Sequence, residues 1–169
     1  MEIKHLSLKL LILFSCIVYT YGNATDCVYT IYVETGNIPL AGTRSNLTLF
    51  LSDSTKAQLP IVNLKDWGLM GSAHNYFGHG EVDLFAGKGP CLRGPVCSII
   101  IVLDGFDNWY CQSIEITTVG SGKSCSQKKF EVKKWLDVIK GSAVILQDEC
   151  SDDDDDSVVG NDPLGRSKE

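Results

Sequence analysis

From residue 26 onward, apolar and polar side chains alternate with a period of two in short segments set apart by Gly, Pro, Asn and Asp, and helical periodicity is nearly absent. In "CVYTIYVET", Cys27, Tyr29, Ile31 and Val33 fall on one face and Val28, Thr30, Tyr32 and Glu34 on the other. "NLTLFLSD" turns Leu47, Leu49 and Leu51 inward. "QLPIVNL" reads as an edge strand, because Pro60 has no N–H to give to a ladder. "EVDLF", "CSIIIVL", "CQSIEITTV" (with Ile114 and Ile116 on one face), "KFEVKKWL" and "AVILQ" complete about eight strands. Such spacing predicts an all-β antiparallel sandwich. A long glycine-rich connection over residues 66–80, "DWGLMGSAHNYFGHG", carries Trp67, Met70, Tyr76 and Phe77.

The two ends of the chain differ from this pattern. Lys4, His5 and Lys9 precede the apolar run "LLILFSCIV", and small residues follow, so residues 1–24 read as a signal peptide rather than a spanning helix, which needs roughly 20 apolar residues. That places the protein in the secretory pathway, in the endoplasmic reticulum or secreted. The net charge of -6 is concentrated in the tail: residues 148–169 hold nine acids against Arg166 and Lys168, whereas residues 25–147 hold 11 acids and 11 bases. The domain spans residues 25–150, and residues 151–169, with five consecutive aspartates, are expected to be a disordered acidic tail. A neutral domain with an anionic tail argues against nucleic acid as a partner.

Secretion changes the meaning of two residue types. Asn23 and Asn46 head N-x-S/T sequons and become candidate glycan sites, Asn23 only if cleavage leaves it in place. Six cysteines follow the signal, and an even number without a C-x-x-C pair points to disulfides rather than zinc. In "GPCLRGPVC" the prolines and glycines bend the chain enough to predict a Cys91–Cys97 bridge. The pairing of Cys27, Cys111, Cys125 and Cys150 stays open.

The stretch 76–118 resembles the PLAT (lipoxygenase-homology) domain through "YFGHGEVDLF", "SIIIVLDG" and "WYCQSIEITT", and "GTRSNLTLFLSD" and "KFEVKKWL" look like its second and closing strands. "DCVYT", "WGLMG", "NYF" and "GPC...PVC" bring it nearest to the plant PLAT-plant-stress proteins. The resemblance covers roughly residues 26–136. It implies a sandwich of two four-stranded sheets, no catalysis of its own, and a role in abiotic stress through docking to a lipid surface or a lipid-metabolising protein. The competing reading is a regulatory or structural protein that acts by protein contacts alone. The second strand of that family often begins Gly-Thr-Asp, with the aspartate near calcium in calcium-responsive members, and here Arg44 stands in its place.

Catalytic constellations are missing from the sequence. His74 and His79, the two histidines after the signal, read as solvated loop residues, and neither G-x-S-x-G nor H-E-x-x-H occurs. Asp104, Asp107 and Asn108 in "LDGFDNW" offer three oxygen-bearing side chains to calcium, with Asp53 or Asp83 as a further carboxylate, but Asp-Gly is equally ordinary turn chemistry. Trp109 reads as a core anchor. Trp67, Leu69 and Met70, between glycines, form either an apolar tip for a lipid or partner surface or a loop folded back over the sheet. Lys128, Lys129, Lys133 and Lys134 mark a charged strand that attracts anionic head groups or discourages strand addition.

Overall fold

The computed structural model describes residues 26–71, 73–120, 124–138 and 143–150. The segments read as a signal peptide and as an acidic tail, and Asn23 with them, lie outside the described residues. Eight strands form, where alternation places them: β1 (Asp26–Thr35), β2 (Asn46–Ser52), β3 (Gln58–Ile61), β4 (Val82–Pro90), β5 (Ser98–Asp104), β6 (Trp109–Gly120), β7 (Ser126–Leu136) and β8 (Val144–Asp148). They build two antiparallel four-stranded sheets, ordered β4-β1-β6-β7 and β3-β2-β5-β8. Pro60 lies in β3, which pairs only with β2 and so forms an edge.

The inner faces carry the core. Cys27, Tyr29, Ile31 and Val33 of β1 and Leu47, Leu49 and Leu51 of β2 are buried against Ile99, Ile101, Ile114, Ile116 and Phe130. Trp109 is fully buried, and its indole N–H donates to Thr35 Oγ1 at 3.0 Å, so the ring packs without a stranded donor. Strict alternation back from Ile114 would turn Trp109 and Cys111 to the outside. A bulge prevents this: β1 pairs Glu34 with Ser113 but Thr35 with Cys111, so Gln112 is skipped and both halves of β6 face the core.

Both disulfides sit at one end of the sandwich, and they correct the expected local bridge. Cys91 pairs with Cys27 and Cys97 with Cys150, at sequence separations of 64 and 53. The register supplies the reason. Cys27 ends the face of β1 that lies against Gly89 on one side and Gly120 on the other, and a side chain at Gly120 would collide with the Cys27–Cys91 sulfurs. Cys97 and Cys150 flank the paired residues Ser98 and Asp148, and Glu149 N donates to Cys97 O at 2.9 Å. The chain therefore enters and leaves the domain through covalent ties at the same end. At the opposite, open end lie the β1–β2, β3–β4, β5–β6 and β7–β8 connections.

Cys111 is buried, which pushes its thiol well above the ordinary range, and Cys125 is exposed. A thiol reagent is therefore expected to label Cys125 in the native protein and Cys111 only after denaturation. Peptide mapping without reduction should recover Cys27–Cys91 and Cys97–Cys150, and a Cys91–Cys97 peptide would overturn this pairing. Cys97→Ser should cost about 2–4 kcal/mol of stability in denaturant titration.

Candidate functional site

At the open end, the β5–β6 turn is built around one carboxylate. Asp107 accepts hydrogen bonds from Thr43 Oγ1 at 2.6 Å, from the Arg44 backbone N–H at 2.9 Å and from the Ser45 hydroxyl. Burial alone would raise its pKa, but these donors outweigh it and hold the carboxyl down to about 2. The turn is thereby stitched to the β1–β2 loop. Lys65, on a short 3-10 helix (Leu64–Trp67), secures the same loop by donating to the carbonyls of Arg44 and Ser45, both at 3.0 Å. Asn108 accepts from the Val138 N–H at 3.2 Å and so ties in the β7–β8 connection.

These contacts decide how the residues fit a calcium ion, which takes six to eight oxygens. Both Asp107 oxygens and the Asn108 carbonyl already serve loops, which leaves Asp104, exposed and without a hydrogen bond or ion pair among the described residues. The further carboxylates are elsewhere. Asp53 lies at the disulfide end, fully buried, and accepts from Thr55, Ala57, Arg93 and Gly94. Asp83 is fully buried beneath the β3–β4 loop. Among the described residues no group of three or more His, Cys, Asp or Glu converges. Asp53 and Asp83 thus do not join Asp104 and Asp107 at the open end.

The β3–β4 loop folds back over its sheet. Leu69 N donates to Leu84 O at 3.0 Å, Gly68 bridges to Phe85, and the half-buried Trp67 lies so close over Gly87 that any side chain there would strike the indole. Trp67 thus packs on the protein, while Leu69 and Met70 stay exposed. His74 is not a solvated loop residue as expected: its Nε2 lies 2.6 Å from Asp83 Oδ1, and the other oxygen of Asp83 accepts from Phe77 N at 2.6 Å. That pairing drives Phe77 into the core, 5.5 Å from Trp109 and 5.7 Å from Phe85 between ring centroids. The lysines of β7 are largely neutralised within the domain: Lys128 meets Glu149 at 2.7 Å, and Lys129 and Lys133 share Glu131.

Two apolar side chains were missed by the sequence reading. Phe106, at the tip of the β5–β6 turn, is 99% exposed, and Leu40, in the β1–β2 loop, is 88% exposed. The available signal was an aromatic at the centre of a polar turn, "DGFDN", where turn chemistry has no use for it. Arg44, Asn46, Asp104 and Phe106 line one open depression of about 550 Å³. Asn46 is exposed, as a glycan acceptor must be.

A chain of two four-stranded antiparallel sheets with loop-borne polar and apolar groups at one end has the architecture of a sandwich module, and comparison gives it a family. The family model for Embryo-specific protein 3 (ATS3) matches residues 16–142. PLAT domain-containing protein 2 of Arabidopsis thaliana is 39% identical over 139 residues, covering 80% of this chain and 76% of its own. PLAT domain-containing protein 1 of the same plant is 43% identical over 115 residues, which span 66% of this chain and 64% of that relative. The chain belongs to the Embryo-specific protein 3 family of PLAT domain-containing proteins. Among solved structures, a calcium-dependent 11R-lipoxygenase is similar with a TM-score of 0.53 at 21% identity, over 73% of this chain and 17% of that one. A LOX variant, Delta413-417:GS, gives 0.51 at 19%, over 72% and 16%. At such identities the likeness establishes the fold alone.

Asp107→Ala should lower stability by about 1–3 kcal/mol, because it strands donors of Thr43, Arg44 and Ser45. The folded pKa of Asp107 lies below its ordinary value, so its contribution is complete above about pH 4 and fades as pH falls toward about 2. Thermal melts of wild type and variant should therefore differ at pH 7 and converge near pH 2. A constant difference across that range would show that the ionised carboxylate is not what holds the loop.

Proposed function

We propose that this protein is a non-catalytic docking module of the secretory pathway that applies its open end to a lipid surface. The observation that carries the reading is Phe106, an aromatic almost wholly in solvent at the tip of a turn whose base is fixed by Asp107. An exposed ring on a held backbone lowers the ordering cost of insertion, and aromatic side chains favour the membrane interface. Leu40 and the Leu69–Met70 pair supply further apolar surface at the same end. Trp67 contributes as the support that shapes its loop over Gly87.

The donor set around Asp104 favours docking that does not require calcium. The apolar segment before residue 25 and two disulfides fit an oxidising compartment, either the endoplasmic reticulum or beyond it. A role in abiotic stress is part of the same proposal and rests on the sequence resemblance to the plant PLAT-plant-stress proteins.

The test is vesicle flotation of the mature protein, its state at Asn46 established by mass spectrometry, with calcium or with chelator. Binding is expected in both conditions. Phe106→Ser should weaken it about tenfold or more, the loss expected when one aromatic no longer leaves water, with melting unchanged. If Phe106→Ser binds as tightly as wild type, the turn is not the anchor. If wild type binds no vesicle, a protein surface replaces lipid as the partner.

A further inference from the structure

The depression beside Phe106 contains two charges that are unpaired among the described residues. Arg44 and Asp104 are both exposed, and among the described residues neither side chain makes a hydrogen bond or an ion pair, with each other or with any neighbour. The surrounding charges are engaged. Asp107 holds Thr43, Ser45 and the Arg44 N–H, and Lys65 holds two carbonyls while lying near Asp107. What remains is one guanidinium, one carboxylate and the Phe106 ring around a single opening. The guanidinium projects from a backbone fixed on both sides, through Arg44 N to Asp107 at 2.9 Å and Arg44 O to Lys65 at 3.0 Å.

Separated opposite charges on a positioned frame match a ligand that carries the same two charges in reverse. We propose that this depression holds the zwitterionic phosphocholine headgroup, with Arg44 on the phosphate and Asp104 and the face of Phe106 on the quaternary ammonium. The planar guanidinium fork suits a phosphate, and a quaternary ammonium is attracted by both a carboxylate and an aromatic face. A purely anionic headgroup leaves Asp104 unmatched and meets the charge of Asp107. Both charges belong to the protein, so no metal is needed to bridge it to the phosphate. This inference rests on the docking reading and names the surface it selects.

The full mature chain, shown by mass spectrometry to carry no glycan at Asn46, which lines the same depression, is tested in chelator against phosphatidylcholine and phosphatidylglycerol vesicles, and free phosphocholine is titrated while backbone amide resonances are followed. Wild type should prefer phosphatidylcholine about tenfold or more. Asp104→Asn should abolish that preference, and Arg44→Ala should weaken binding to both lipids, whose phosphates it would contact, each without a change in melting temperature, since neither side chain has a partner among the described residues. Phe106→Ser should weaken binding to both vesicles and lower the preference as well. If Asp104→Asn keeps the wild-type preference and Arg44→Ala binds both lipids as wild type does, the headgroup site is overturned while docking through Phe106 stands. If no vesicle is bound but free phosphocholine shifts the Arg44 and Phe106 amides in wild type and not in Arg44→Ala, the site takes a soluble ligand and membrane docking falls. If neither vesicles nor phosphocholine bind, both readings fall.

Discussion

Wherever the chain leaves a sheet, its N–H and C=O groups lose their ladder partners and must be satisfied in another way. This protein meets that requirement with aspartate carboxylates. Asp53 gathers the β2–β3 and β4–β5 connections at one end, Asp83 gathers the β3–β4 loop through His74 and Phe77, and Asp107 gathers the β1–β2 and β5–β6 loops. Each ionised acceptor is worth more than a neutral one because charge-assisted bonds are shorter and stronger. For Asp53, as for Asp107, the donors overcome the burial that would otherwise raise the pKa. A carboxylate used this way is committed to holding loops, and among the described loop aspartates Asp53, Asp83 and Asp107 all serve so.

The same economy explains which parts of the molecule were legible in the sequence. Strand number and the inward faces of β1 and β2 follow from a period of two, a local property of the chain. Pro60 marked its edge strand for an equally local reason, a missing donor. The bulge at Gln112 was invisible because a skipped residue is defined by the partner strand, and it alone turns Trp109 and Cys111 inward beside Ile114. Disulfide partners were invisible for a related reason. Cys91 and Cys97 are near in sequence, but sheet register brings Cys27 to one and Cys150 to the other. "LDGFDNW" was noticed for its acids, and the residue that matters most to the proposed function is the phenylalanine between them, whose exposure depends on how Asp107 closes the turn.

The two ends of the sandwich are held by different means, and this bears on what each can do. At one end, covalent bridges tie β1 to the β4–β5 connection and the β4–β5 connection to the segment after β8. At the open end the ties are hydrogen bonds from loop to loop, with Phe77 as a shared plug: it stacks in the core, its carbonyl accepts from Thr43 N at 3.0 Å, and Lys65 lies 5.5 Å over its ring. Hydrogen bonds of this kind fix a loop without committing its outer side chains. Apolar groups such as Leu40, Leu69 and Phe106 can therefore stay in water on a frame that does not collapse around them.

Exposed apolar side chains are ordinary when scattered, and they gain meaning by sharing a location. Here Leu40, Leu69, Met70 and Phe106 share the end without disulfides with charges of both signs that are unpaired among the described residues, on a domain whose own charge is balanced. Docking driven by lysines onto anionic lipid weakens as salt rises. The lysines of β7 are poorly placed for that role, since Glu131 and Glu149 already answer three of them. A neutral headgroup met by one positive and one negative side chain carries no net charge to screen, and the apolar tip contributes through area removed from water. The balance of charge in the domain and the separation of Arg44 from Asp104 thus point to the same kind of surface: apolar beneath, zwitterionic above, and met through geometry more than through net charge.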